Sequence, residues 1–337
     1  MRFARFIVIL VLAGMVALAP TTAGQAQALT TVRVALLPLQ SWAPIFIAIE
    51  EGHFARYGLR VEFVTFATGG EAIPTLVDGK LDVGAGNLSA AFFNALAAGV
   101  PVRVTADKGR SGVGDRTNAI MVRRDLIDSG QIKSVADFRG RRVAIDGVGG
   151  SQQYVLTVAL RQAGLKSADI NLQRMPQPAI AAGLESRAID IGVLAEPRVT
   201  FVVERGVAVP FRYYSDILPI LQIGVIQYGT NFLQKNRALG VRWMAAYLLG
   251  LRQYQQGKTA RNVQIIAKQT GLDERTLRQS FWFPIAADGR ADALSLMRMQ
   301  DWMYEEGLIN VRVPAQQFID HSFLQEAEGL IAGGGPR

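Results

Sequence analysis

One pattern occurs twice in this chain. Residues 32–63, VRVALLPLQSWAPIFIAIEEGHFARYGLRVEF, and residues 142–172, RVAIDGVGGSQQYVLTVALRQAGLKSADINL, each read as strand, short loop, helix, Gly-Leu, strand. Val34-Ala35 corresponds to Val143-Ala144, and Gly58-Leu59 to Gly164-Leu165. Downstream, Leu81-Asp82-Val83-Gly84 matches Ile189-Asp190-Ile191-Gly192, each after a helix-like stretch. Two βαβαβ units predict two α/β lobes with a cleft between them, the usual seat of a small molecule. Asp82 and Asp190 hold equivalent places before the third strand. That equivalence points to a role in the fold rather than to acid–base work.

The first 28 residues have another character. Arg2 and Arg5 are their only charged side chains, Ile7 to Ala19 is apolar apart from Gly14, and Ala26-Gln27-Ala28 offers a small-residue cleavage site. The apolar run is too short for a membrane span, so residues 1–28 read as a cleavable secretory signal peptide. No Cys follows it, which excludes a lipoprotein anchor. About 309 of the 337 residues remain, enough for two lobes with cores of their own. The chain has no cysteine, so an exported fold must rest on burial rather than disulfides, and Cys nucleophiles and Cys metal sites are excluded. Without Arg2 and Arg5, the 36 basic residues exceed the 28 acidic ones by 6. The basic spots Arg139–Arg142 and Lys108–Arg110 are short and lack interleaved aromatics, which argues against nucleic acid.

The elements follow from hydrophobic pattern and turn signals. Residues 32–38 read as a buried strand, and Pro44 opens a helix that stops at Gly52. Strands at 61–66 and 81–85 come next, then a helix capped by Asn87 or Ser89. Residues 102–118, with Gly109, Gly112 and Gly114 among charges, read as an irregular crossing. A strand at 119–123 enters the second unit, with strands at 143–145, 170–174 and 190–194 and helices between. A strand returns at 222–228, followed by helices at 237–256, 262–269, 273–281, 292–306 and 314–323. The division is therefore residues 29–115 for the first lobe, 116–225 for the second, and 226–332 returning, mostly helical, to the first.

Ligands of parallel α/β sheets meet the loops at the carboxyl ends of the strands, where helix starts offer free N–H groups. The first lobe supplies Gln40, Ser41 and Trp42, then Thr68, Gly69 and Gly70, then Asn87 and Ser89. The second supplies Gly149, Gly150 and Ser151, then Gln177, then Glu196. Ser151 and Asn87 would serve at least as helix N-caps. Trp42 could stack on a ligand, and Glu196 could accept from a ligand N–H or hydroxyl. Lys108 and Arg198 flank the region. Neither glycine pair forms a nucleotide fingerprint. His53 and His321 are the only histidines and neither pairs with a Ser and Asp, so no triad is expected. No spacing suggests a metal, and no cofactor is expected.

The runs VRVALLP…WAPIFIAIEEGHFARYGLRVE, TGGEAIPTLVDGKLDVGAG at 68–86, ADFRGRRVAI at 136–145 and LAEPRV at 194–199 resemble the nitrate/sulfonate/taurine-type solute-binding proteins of ABC importers. Thiamine-precursor-binding proteins are similar to these. The family often has an aromatic before Glu-Pro, where this chain has Ala195. The resemblance implies a type II periplasmic binding fold, two doubly wound α/β lobes around a ligand cleft with two hinge crossings. It implies contacts around Trp42, Gly69-Gly70, Asn87–Ser89, Gly150-Ser151 and Glu196. It further implies a periplasmic monomer that captures a small organic solute, a sulfonate-, taurine- or nitrate-like anion or a planar thiamine-precursor-like compound, and delivers it to a membrane permease and its ATPase. A pyrimidine-synthase-like enzyme and a ligand-sensing receptor subunit are the alternatives. The synthases of this fold use a Cys-rich segment and an active-site His, neither of which this chain offers in its strand-end loops.

Overall fold

The computed structural model describes residues 28–37 and 39–335. All of the expected signal peptide except Ala28 lies outside the described residues. Ten strands form two five-stranded sheets. In chain order they are β1 (Thr30–Leu36), β2 (Leu59–Thr65), β3 (Val83–Asn87), β4 (Arg103–Ser111), β5 (Asn118–Arg123), β6 (Arg142–Ile145), β7 (Asn171–Arg174), β8 (Ile191–Ala195), β9 (Ala208–Tyr213) and β10 (Leu221–Tyr228). The first sheet runs β2-β1-β3-β10-β4 and the second β7-β6-β8-β5-β9. The architecture is two doubly wound α/β lobes of the type II periplasmic binding fold.

The duplication persists in the register. β1 lies parallel between β2 and β3, and β6 lies parallel between β7 and β8. Val34 sits opposite Val83 and Val143 opposite Ile191, as the sequence alignment of the halves requires. Each sheet then gains an antiparallel strand made after a crossing: β5 between β8 and β9, and β10 between β3 and β4.

The matched aspartates fasten the matched strands. Asp82 accepts from the Arg33 backbone N–H at 2.8 Å and, through both oxygens, from the Arg33 guanidinium at 3.1 and 3.0 Å. Asp190 does the same with Arg142, at 3.0 Å from the backbone and 3.1 and 2.7 Å from the guanidinium. It also takes 3.1 Å from Arg123 Nη1. Bidentate geometry makes these the strong kind of ion pair.

The terminal helices pack on the first sheet. Residues 237–254 form a helix whose Trp243, Met244, Tyr247, Leu248 and Leu251 are buried, each contributing about 1.5–3 kcal/mol. This helix lies against the one over Ala43–Glu50. A Cβ on Gly250 would stand 2.1 Å from the Pro44 carbonyl oxygen, so only glycine allows the helices to touch there. That contact seats the helix start carrying Ser41 and Trp42.

Several expectations are corrected. Residues 102–118 are not all irregular: Arg103–Ser111 is β4, the edge strand of the first sheet. Its buried Asp107 and Gly109 disguised it, because a strand is normally depleted in both residue types. Leu221–Val225, placed with the second lobe by the division at 225, are hydrogen-bonded into the first sheet as part of β10. The helix expected over 314–323 is two, Ala315–Phe318 and Ser322–Ala332. β9 and the helix Arg198–Glu204 carried no clear sequence signal.

Asp190 supplies a stability test. Burial pushes its carboxyl up, but the hydrogen bonds and charge of Arg142, with the charge of Arg123, outweigh burial and hold it below its ordinary value. A depressed folded value adds stability that is present above the unfolded value, near 4, and lost as pH falls through the folded one. Asp190→Asn should lower the unfolding free energy by about 3 kcal/mol at pH 7. The gap from the parent should narrow below about pH 4. Urea titrations at both pH values measure it.

Candidate functional site

A cavity lies where the two sheets face one another. From the first lobe it is lined by Leu37, Leu39, Ser41, Trp42, Gly69, Gly86, Asn87, Lys108, Ile223, Gly224 and Phe283. From the second it is lined by Asn118, Asp146, Ser151, Gln152, Gln177, Ala195 and Glu196. Leu37, Gly86, Asn87, Asp146, Ala195 and Glu196 lie at the carboxyl ends of β1, β3, β6 and β8, while Lys108, Ile223 and Gly224 lie within β4 and β10. The volume is about 30 Å³, and a single water needs about 10–15 Å³ by the same measure. The space therefore suits a group of a few heavy atoms.

Seven expected residues line it: Ser41, Trp42, Gly69, Asn87, Ser151, Gln177 and Glu196. The others do not, and each has a visible position. Gln40 is fully buried behind the wall, its amide without a partner. Gly70 faces Ser89, whose hydroxyl would be 3.6 Å from a Cβ there. Thr68, Gly149 and Gly150 lie where the lobes meet. A Cβ on Gly149 would be 2.8 Å from Ala90 Cβ, one on Gly150 3.6 Å from Asn87 Nδ2, and one on Gly147 3.8 Å from Thr68. The lobes thus touch at these loops.

The expected caps are also corrected. Ser151 is the first residue of the helix Ser151–Gln162, with Gly150 at the cap position and no side-chain cap. Ser89, not Asn87, occupies the cap position of the helix Ala90–Ala97, again without a cap bond. Ser151 Oγ is buried at the cavity wall with no partner.

Trp42 is fixed as a platform. Its Nε1 donates to Ala35 O at 3.0 Å, and the side chain is 2 % exposed. Lys108 Nζ stands 3.2 Å from the ring centroid and donates to Ser41 Oγ at 2.9 Å. Lys108 is itself buried, and burial drives its amine well below the ordinary lysine value despite the charge of Asp107. The Asp107 carboxylate serves elsewhere, accepting from Gly109, Arg110, Gln222 and Ala286.

The second lobe brings two carboxyl groups. Asp146 Oδ2 accepts from Gln177 Nε2 at 3.2 Å, and burial pushes the Asp146 carboxyl up to about 6. Gln177 Oε1 accepts in turn from the Ala195 N–H at 3.0 Å. Glu196 Oε1 takes Thr200 Oγ1 at 2.7 Å and the Phe281 N–H at 3.1 Å, and Oε2 takes the Thr200 N–H at 3.0 Å. Burial raises the Glu196 carboxyl, partly offset by Thr200 and Phe281. Phe281 belongs to the segment bonded to β4, so Glu196 joins the lobes.

The residues missed from sequence are chiefly Asp146, Asn118, Gln152, Ile223, Gly224 and Phe283; of the two residues expected to flank the site, Lys108 lines the cavity and Arg198 does not. Asp146 directly follows β6, as Leu37 follows β1, so the repeat itself signalled that position. Lys108, Ile223, Gly224 and Phe283 reach the cavity only through the insertion of β10 and the docking of the 280s segment on β4. No local pattern marked them.

This geometry agrees with the comparisons. The NMT1-like family model matches residues 25–268, and the chain belongs to that family. Among solved structures, the fold is shared with the periplasmic nitrate-binding protein of Synechocystis PCC 6803, at TM-score 0.74 and 15% identity, covering 91% of each chain. It is also shared with the alkanesulfonate-binding protein of Xanthomonas axonopodis pv. citri bound to MOPS, at TM-score 0.71 and 18% identity, covering 86% of this chain and 98% of that one. A desulfurization enzyme solved as a Cys-to-Ser mutant with biphenyl-2-sulfinic acid has the fold too, at TM-score 0.63 and 16% identity over 89% and 99%.

Gly69 gives a direct test of the wall. Its Cβ would sit 2.9 Å from the Asn87 N, and a Cβ on Gly86 would sit 2.9 Å from Gly69 Cα. Gly69→Ala must push the two loops apart, at a cost of about 1–3 kcal/mol. The unfolding midpoint should fall while Gly99→Ala, a surface glycine in a left-handed turn with open space around it, leaves the cavity intact. A crystal structure of Gly69→Ala should show the loop carrying Thr68 displaced from Asn87.

Proposed function

We propose that this protein is the solute-binding component of an ABC importer, working in the periplasm as a monomer that hands a small organic solute to a membrane permease and its ATPase. The observation that carries the reading is a single small cavity wall built jointly by both lobes, with helix starts and polar side chains turned inward. Closure then follows from differential affinity. A solute touching both walls binds the closed form better than the open one and shifts the population toward it. Likeness to binding proteins of the nitrate and alkanesulfonate classes supports the assignment of partners and compartment. The described helices include none long and apolar enough to cross a membrane.

The enzyme reading rests on the shared fold of the desulfurization enzyme. It is disfavoured by chemistry: the structure in question was solved as a cysteine mutant, and this chain contains no cysteine. Both cavity carboxyl groups are bonded to neutral donors rather than aligned with a nucleophile.

Native mass spectrometry of freshly purified protein should show a co-purified solute. Adding that solute should raise the melting temperature by the usual mass-action relation. Absence of stabilisation by any member of a broad metabolite library would refute the assignment. Glu196 tests closure. Glu196→Ala removes a charge-assisted bond to Phe281 across the lobes, worth about 1.5 kcal/mol, or roughly tenfold in affinity. Small-angle scattering should show a larger radius of gyration for the ligand-free variant than for the parent.

A further inference from the structure

We propose a second binding site, apart from the cleft, where the chain crosses back into β10. It takes a small apolar monocarboxylate. The hydrocarbon body, about the size of a benzene ring, lies against Leu218–Leu221, and the carboxylate meets Arg298.

The segment Leu218–Leu221 joins the helix Tyr214–Ile217 to the start of β10. All four of its residues line a cavity of about 160 Å³. Tyr154, from the helix Ser151–Gln162, forms a second side. Ser295 and Arg298, from the helix Ala293–Glu305, form the third. No residue of this lining borders the cleft cavity. An apolar cavity of about 150 Å³ holds a benzene molecule, so the space suits one ring or a short branched chain. Leu218, Pro219, Ile220 and Leu221 bring no polar side-chain atom to their wall. Ile220 is 53 % exposed, and an apolar occupant would cover it.

The polar side of the cavity carries one charge. Arg298 is the only charged residue in the lining, and the acids near it are already engaged. Asp301 pairs with Arg312 at 2.9 Å, Glu305 with Arg161 at 3.3 Å, and Glu306 with the same Arg161. Among the described residues no carboxylate lies within 4 Å of Arg298. Ser295 Oγ is occupied in accepting from the Gln222 N–H at 2.7 Å. The Tyr154 ring is held against Trp302, with centroids 5.0 Å apart. Burial pushes the Tyr154 hydroxyl up, and the charge of Arg298 opposes it. The guanidinium and the phenol therefore stand at the same end of the cavity.

A hydrocarbon wall that ends in an unpaired guanidinium selects its occupant. Arginine meets a carboxylate with two parallel N–H donors, and a phenol O–H is a further donor. A neutral arene would leave Arg298 unused. Acetate would leave the apolar wall wet. An arylamine or alkylamine would set like charges together. Tyr154 belongs to the second lobe, whereas Ser295 is bonded to β10 of the first, so the occupant touches both lobes at their crossing.

Calorimetry on the intact protein with benzoate, benzyl alcohol, benzylamine and acetate tests the site. Benzoate should bind in the millimolar range or tighter, and each of the others at least tenfold more weakly. Arg298→Gln should cost benzoate at least tenfold. Ile220→Glu, which sets a carboxylate on the apolar wall, should abolish its binding. Both positions are exposed, and thermal melts of the two variants check that they fold. A crystal soaked in benzoate should show its carboxylate on Arg298. The inference fails if benzoate does not bind in that range, if benzyl alcohol or acetate matches it, if either variant binds it like the parent, or if the crystal places it in the cleft. The wild-type series and the crystal decide even if a variant does not fold. Failure here leaves the solute-binding reading standing, because that reading rests on the cleft and on its own co-purified solute.

Discussion

The insertion of β10 antiparallel between β3 and β4 is the constraint on which the rest depends. The chain leaves the first sheet after β4, builds the second lobe, and must return to the middle of the first. The return makes two crossings rather than one, so the lobes are tied side by side and their strand ends face each other. It also dictates the chemistry of one wall. Gln222 on β10 donates to Asp107 and to the Gly109 and Gly224 carbonyls, locking β4 in place. Gly224 gives Lys108 room to turn inward. A different closing strand would leave the same two lobes without that amine.

Charge is partitioned with the same economy. Each lobe keeps one aspartate saturated by arginine at the start of its third strand, where it fastens parallel strands. Asp107 is saturated too, by four donors. Among the described residues, Asp146 and Lys108 are bonded only to neutral groups, Gln177 and Ser41, and the buried Arg198 Nε has no partner. Glu196 falls between the two kinds: it lines the cavity, yet its oxygens bind Thr200 and the Phe281 N–H of the opposite lobe, so it ties the lobes together.

The glycines divide in a similar way. Gly250 lets two helices touch and so orients Trp42. Gly69 and Gly86 let two loops of one lobe touch. Gly149 lets the lobes touch. The sequence marked Gly69-Gly70 and Gly149-Gly150 as places of close ligand approach. In the structure, what approaches most closely at Gly69 and Gly149 is the protein's own backbone and side chains.

The sequence by itself determined the two-lobed plan. The repeat is local, so the order of strands within each βαβ unit, the register of Val34 with Val83 and Val143 with Ile191, and the loops that face the cleft could be read directly. Seven cavity residues were legible for the same reason: they follow strand ends, where position along the chain fixes position in space. Tertiary structure alone decided the rest. β4 was hidden because its polar residues are paired through β10 and the 280s segment, contacts more than a hundred residues away. Lys108, Gly224 and Phe283 meet only after that pairing forms. Whether a buried polar side chain finds a partner depends on neighbours distant in sequence, and no pattern along the chain records them.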